Sequence, residues 1–348
     1  MRVFAFLSVL VGHKFFDPIA DFASNPSTHP ILRSLADLIA ALCMGGGAGV
    51  IVFFLTSGYI ITYVLRFDTP AVFMMKRVFR IYPLYIFAVV LQVALDWWVK
   101  GTPVPEASVM IPRMLLIGDF FGTPYALGGV EWTLRVEVMF YVFMAALKKV
   151  GAFERPAALP PILVGLSALM ATASPFPVGY GWSDGYFFIF APYLFVGAVI
   201  YLVEERQAGR VMGACCIAAL FLLSMYMLLT IQPRWNGELF PLLAMLIFTL
   251  AWLLRHRIVA GRVTLLLSSL TFSVYVLHNW LWEYIADVLS AMNLGVLPMS
   301  VQVIVILFGL CYLTHRYIEQ PMIRAGSVLL RALTRPTIPD RVLQRRTG

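Results

Sequence analysis

An arginine and a histidine, Arg2 and His13, bracket the apolar run R-V-F-A-F-L-S-V-L-V-G-H-K-F-F that opens this chain. Eleven residues make about three turns of α-helix, so the two side chains share one stripe, about 16 Å apart along its axis. A guanidinium and an imidazole on one face of a membrane helix are costly unless that face looks into protein or water. The plainer reading puts His13 at the outer interface, where a polar tip is cheap. The company it keeps favours chemistry.

That company lies in two later apolar segments. The segment from residue 129 brings Glu131, Trp132, Arg135 and Glu137 into its outer turns. Glu131 and Arg135 are four apart and can pair, whereas Glu137 lies about 200° round from Arg135 and needs a partner elsewhere. In T-F-S-V-Y-V-L-H-N-W, His278 sits about two-thirds of the way outward along its helix. His13, Glu137 and His278 are therefore expected to meet in the outer half of one cavity. Intramembrane ionisable groups mark functional sites when they gather.

A second cluster, Lys76-Arg77-Val78-Phe79-Arg80-Ile81-Tyr82-Pro83, enters the third expected span. Arg77 and Arg80 lie three apart on one face of what reads as a helix N-terminus. Guanidinium forks and free N–H groups there suit a phosphate. A routine basic anchor is the alternative. The glycines at 45–47 and 49 lack the strand–turn–helix setting of a nucleotide loop and read as close packing and an irregular helix entry. Ser57 has no histidine beside it and no elbow motif, which makes it a weak nucleophile candidate.

The elements that must carry these groups follow from composition. Of 348 residues, 61% are hydrophobic and only 13% charged, well below the quarter usual in soluble proteins, with a mean hydropathy of +0.85. About ten membrane helices are expected, near 1–16, 46–66, 80–99, 129–147, 157–175, 185–203, 211–231, 238–254, 263–285 and 296–316. The broken stretch 107–121, with Pro112, Arg113 and Asp119, reads as interfacial or re-entrant. With the N-terminus inside, 20 of the 26 Lys and Arg residues fall on the inner side, Arg135 lies inside a helix, and the outer loops keep only Lys14, Arg33, Lys100, Arg113 and Arg234. Both termini are then cytoplasmic. The fold class is all-α and polytopic, a single bundle over 1–324 with a basic, partly amphipathic tail over 325–348.

The net charge of +8 sits in short clusters between apolar runs, not in a stripe interleaved with aromatics, so nucleic acid is excluded as a partner. Cys43, Cys215, Cys216 and Cys311 lie in or beside apolar runs without metal-ligand spacing, and no metal is expected.

Taken together, the ordered motifs resemble the acyltransferase-3 family of bacterial integral-membrane acyltransferases. The matching pieces are Arg2 with ten residues before His13, Gly49-Val50, and Phe53-Phe54-Leu55-Thr56-Ser57-Gly58-Tyr59. Next come the run from Arg77 to Tyr85, Trp132-Thr133-Leu134-Arg135-Val136-Glu137, Ser273-Val274-Tyr275-Val276-Leu277-His278, and Tyr317-Ile318-Glu319-Gln320-Pro321. The resemblance implies a bundle that moves an acyl group, usually acetyl, from acyl-CoA to a glycan hydroxyl. It implies His13 as the catalytic histidine, Arg2 as an essential arginine, and Arg77 with Arg80 as the pair that handles acyl-CoA. Three departures stand: Arg2 follows Met1 directly where the family has several preceding residues, Thr133 replaces a common serine, and Tyr59 a common phenylalanine.

The expectation is an acyl-CoA-dependent O-acyltransferase of a bacterial inner membrane with no permanently bound cofactor. It acts on an envelope glycan or lipid-linked sugar, with His13, Arg2 and Glu137 catalytic and Lys76 beside the arginine pair. His278, Trp132, Arg135 and Ser57 would contact substrate. The rival is a transporter or flippase with a polar sugar-binding cavity, which the absence of internal repeats disfavours.

Overall fold

The computed structural model describes residues 1–123, 126–179, 181–257, 259–293 and 297–334, and all regular structure among them is helical. Helix α1 (Arg2–Lys14) stops where the chemistry of Pro18 requires it. A helix running on would need an N–H at residue 18 to bond the Lys14 carbonyl, and the proline ring would collide with that carbonyl instead. The chain bends by 74° at Phe15 into α2 (Phe16–Ser24) and returns through α3 (Pro30–Cys43), a hairpin the hydropathy pattern does not announce.

The turn after α3 uses Gly45 and Gly46 at φ +53° and +72°, a left-handed backbone that side chains resist. It brings this turn against α1: a Cβ on Gly12 would stand 2.0 Å from the Cys43 carbonyl oxygen. The next helix, α4 (Gly47–Phe67), is the centre of the bundle, with α1 on one side. Then follow α5 (Pro70–Lys100), the short α6 (Ala107–Met114), α7 (Trp132–Lys149), α8 (Leu159–Thr172) and α9 (Tyr186–Glu204). The chain continues through α10 (Arg210–Ile231), α11 (Phe240–Leu253), α12 (Arg262–Leu277), α13 (Trp280–Met292), α14 (Met299–Thr314) and α15 (Gln320–Thr334). Helix α9 lies against the other side of α4, with Gly58 and Gly197 letting the two backbones touch.

Two corrections to the expected elements bear on the site. Helix α5 starts at Pro70, capped by Thr69, ten residues before the expected span. Arg77 and Arg80 are therefore inside a helix, and the free N–H groups of its first turn are out of their reach. The expected helix 263–285 is two helices bent by 82° around His278. Side chains take the carbonyls that would continue it: His278 Nδ1 lies 2.8 Å from the Tyr275 carbonyl oxygen, and Trp280 Nε1 donates to that of Val276.

By length and composition, five helices can cross a membrane, or seven if each bent pair is one span. Helices α8 and α11 are apolar but only 14 residues each, and α7 carries Arg135, Glu137, Lys148 and Lys149. Helix α15 continues from α14 through a π-turn at His315–Glu319 and crosses position 325 unbroken. Of the expected tail, Arg335, Arg341, Arg345 and Arg346 lie outside the described residues.

Candidate functional site

Three guanidiniums converge at one end of α1. Arg2, Arg77 and Arg80 line a narrow cavity of about 70 Å³ between α1, α4, α5, α7 and α12. Helix geometry explains the α1 wall: Arg2, Ala5, Phe6 and Val9 recur at the spacing of one helical face. Arg77 lies over the rings of Phe73 (5.1 Å) and Tyr141 (5.4 Å), and its buried Nε has no hydrogen-bond partner. No carboxylate comes within 4.0 Å of any of the three arginines among the described residues. Unpaired cations packed this closely suit a polyanion.

Glu137 belongs to this cavity and not to the histidines. It is buried at 6% exposure, accepts a hydrogen bond from Ser57 Oγ at 2.8 Å, and faces Tyr141. The expected grouping with His13 and His278 is thus corrected. Helix α7 turns Glu137 toward Ser57 of α4 and the arginine cavity, whose lining includes neither histidine. Ser57 lines the same cavity as Glu137's donor.

The two histidines do meet. His13 Nδ1 and His278 Nε2 are 3.0 Å apart, with the rings stacked at 20° and centroids 5.1 Å apart. His278 is 1% exposed, while His13 is exposed. The backbone assigns the protons. His278 Nδ1 faces the carbonyl oxygens of Tyr275 and Val274, so it must be the N–H donor, leaving Nε2 as acceptor. His13 then donates from Nδ1, and its ring also meets the Gly45 backbone.

Between arginines and histidines stands Tyr275. Its ring lines the cavity, stacks on Phe53, and lies 5.9 Å from His278 by centroids. Its hydroxyl is held by Thr133 Oγ1 and the Val130 carbonyl. One face of α1 thus runs from the cationic cavity, past this aromatic partition, to the imidazole pair.

The remaining candidates have other settings. Lys76 binds Asp68 at 2.8 Å and lines none of these walls. Trp132 packs among Phe54, Tyr186 and Phe190 and supports the bundle. Arg135 is buried in a clamp with Asp119 (2.7 Å) and Glu131 (3.3 Å), while Tyr186 donates to Asp119. That clamp fastens the irregular segment before α7, since Glu131 also accepts from the Ala126 N–H. The pairing of Glu131 with Arg135 follows the expected spacing; Asp119, sixteen residues upstream, had no local signal. Ser268, Ser269, Thr271 and Glu319 also line the cavity and were not expected, although Glu319 sits in the Y-I-E-Q-P motif.

An all-helical, multi-pass membrane protein with a cationic cavity and a stacked imidazole pair on one helix face has a build that suits a group-transfer enzyme. The profile of the acyltransferase-3 family, described as an acyltransferase domain, matches residues 1–316, and the chain belongs to that family. It is a membrane acyltransferase. No curated protein matches the chain, and no solved structure does.

Proposed function

We propose that this acyltransferase takes its acyl group, acetyl in the first instance, from acyl-CoA and delivers it to a hydroxyl of a cell-envelope or exported glycan. The observation that carries this reading is the run along α1 from three arginines without a direct ion pair to an imidazole hydrogen-bonded to a second imidazole. The phosphates of the donor sit on Arg77, Arg80 and Arg2, and the neutral pantetheine arm points along the cavity toward Tyr275. His13 Nε2 takes the proton of the glycan hydroxyl as its oxygen attacks the thioester carbonyl. The tetrahedral intermediate collapses, the carbon–sulfur bond breaks, and the imidazolium returns the proton to the departing thiolate. General-base help of this kind contributes about 10²–10⁴-fold. His278 orients His13 by accepting its Nδ1–H and favours the imidazolium that forms.

In this reading the arginine end opens to the cytoplasm of a bacterial inner membrane, the histidine end faces outward, and about ten helices cross the bilayer. Transfer is direct: among the described residues no serine or cysteine is hydrogen-bonded to His13 or His278, and Ser57 Oγ meets the Glu137 carboxylate instead. The test is thiol release from acetyl-CoA by the purified protein with an envelope glycan extract. Glycan-dependent release that disappears in His13→Ala, in a protein still folded, supports the reading. Full activity in that variant refutes the base assignment, and radiolabel trapped on either histidine from acetyl-CoA alone refutes direct transfer.

A further inference from the structure

The arginine cavity has an antechamber. Arg2, Arg80, Ser268, Ser269 and Glu319 line the cavity described above and also a second, shallower one. The outer wall of the second is the π-turn and the start of α15, with His315, Gln320 and Arg324. Pro321 has no N–H for the Tyr317 carbonyl, and the chain passes it by a wider turn in which Gln320 N–H bonds the His315 carbonyl oxygen. Helix α15 is seated firmly after this turn: a Cβ on Gly326 would stand 2.6 Å from the Phe79 ring of α5. Arg324 is therefore held at the rim by packed helix.

The charges of this antechamber do not balance. Glu319 is its one acid among the described residues, and its carboxylate is turned inward. The same oxygen, Oε2, accepts from His315 Nδ1 at 2.8 Å and from Ser273 Oγ at 3.2 Å. Gln320 Nε2 in turn donates to His315 Nε2 at 3.0 Å. Arg324 is left exposed with only the neutral Gln320 Oε1 at 3.4 Å, and no carboxylate lies within 4.0 Å of it among the described residues. Ser268 adds a hydroxyl to the wall.

The guanidiniums are also ordered by depth. Arg77 lines only the inner cavity, Arg2 and Arg80 line both, and Arg324 lines only the antechamber. Coenzyme A carries its groups in a matching order: neutral pantetheine, then the diphosphate, then a phosphate on the ribose 3′ oxygen. We propose that the antechamber is the seat of that 3′-phosphate, gripped by Arg324 with Ser268, while Arg2 and Arg80 hold the diphosphate. The assignment rests on the acyl-CoA reading above and adds a selectivity to it: the enzyme distinguishes coenzyme A from its 3′-dephospho form.

The test needs no acceptor. Binding of coenzyme A and of 3′-dephospho-coenzyme A to the purified full chain is measured by calorimetry in detergent free of anionic lipid. A lost charge-assisted contact makes the native protein bind coenzyme A about ten- to a hundredfold more tightly than the dephospho form. Arg324→Gln should bring both affinities to the dephospho level, Arg324→Lys should restore part of the difference, and Arg331→Gln, two turns further along α15, should leave it intact. Ser268→Ala should narrow the difference and keep its direction. Native protein that binds both forms equally, or an Arg324→Gln variant that weakens both in the same ratio, overturns the 3′-phosphate seat and leaves the acyl-CoA reading standing. Binding of neither form overturns both.

Discussion

Replacing His278 tests how the imidazole pair works, because the geometry assigns it a part distinct from that of His13. Its ring fills a buried site and accepts the Nδ1–H of His13 at 3.0 Å, a bond that strengthens when His13 becomes an imidazolium. Hydrogen bonds to charged groups contribute about 1.5–3 kcal/mol. At about 1.36 kcal/mol per decade, His278→Phe, which keeps a ring and removes the acceptor, should lower kcat about ten- to 150-fold. The KM for acetyl-CoA should not move, since the arginines lie at the far end of α1, about 16 Å away. His278→Gln, which supplies a side-chain acceptor, should recover part of the rate. Adding His278→Phe to His13→Ala should cost nothing further, because a positioning residue has nothing left to position. The assay is thiol release at saturating acetyl-CoA with glycan present, on proteins matched for melting temperature. Activity of His278→Phe within twofold of the parent, or a double variant well below His13→Ala, would refute this chain of reasoning.

Two stability predictions follow from buried contacts. Arg135→Met leaves Asp119 and Glu131 buried without their cation, so it should destabilise by about 3–5 kcal/mol, and adding Asp119→Asn with Glu131→Gln should restore much of the melting temperature. Gly58→Ala would put a Cβ 1.9 Å from the Leu194 carbonyl oxygen, forcing α4 and α9 apart; a loss of at least about 1–3 kcal/mol should appear in thermal melts in detergent, as it should for Gly197→Ala.

The Arg2–His13 stripe was legible in the sequence because helix periodicity alone fixes it, and the meeting of His13 with His278 because both sit near the C-terminal ends of their helices. The grouping of Glu137 was not legible: which neighbour it faces depends on how α4 packs against α7, and its partner Ser57 lies 80 residues upstream. The cap Thr69-Pro70 was readable as a helix start, but the basic cluster at Lys76, Arg77 and Arg80 drew the expected helix N-terminus toward itself. Asp119 reaches Arg135 only through the path of the chain between them, and the antechamber arises from a π-turn that periodicity does not encode.

The hydrogen bonds from His278 to the Tyr275 and Val274 carbonyl oxygens have an effect on proton traffic. A wire conducts protons only if every link can both receive and release one, and an amide carbonyl releases none. The chain from His13 through His278 therefore ends blind in the backbone of α12. A proton taken up at His13 Nε2 must leave by the same nitrogen. These two residues by themselves therefore form a dead end for protons and not a relay.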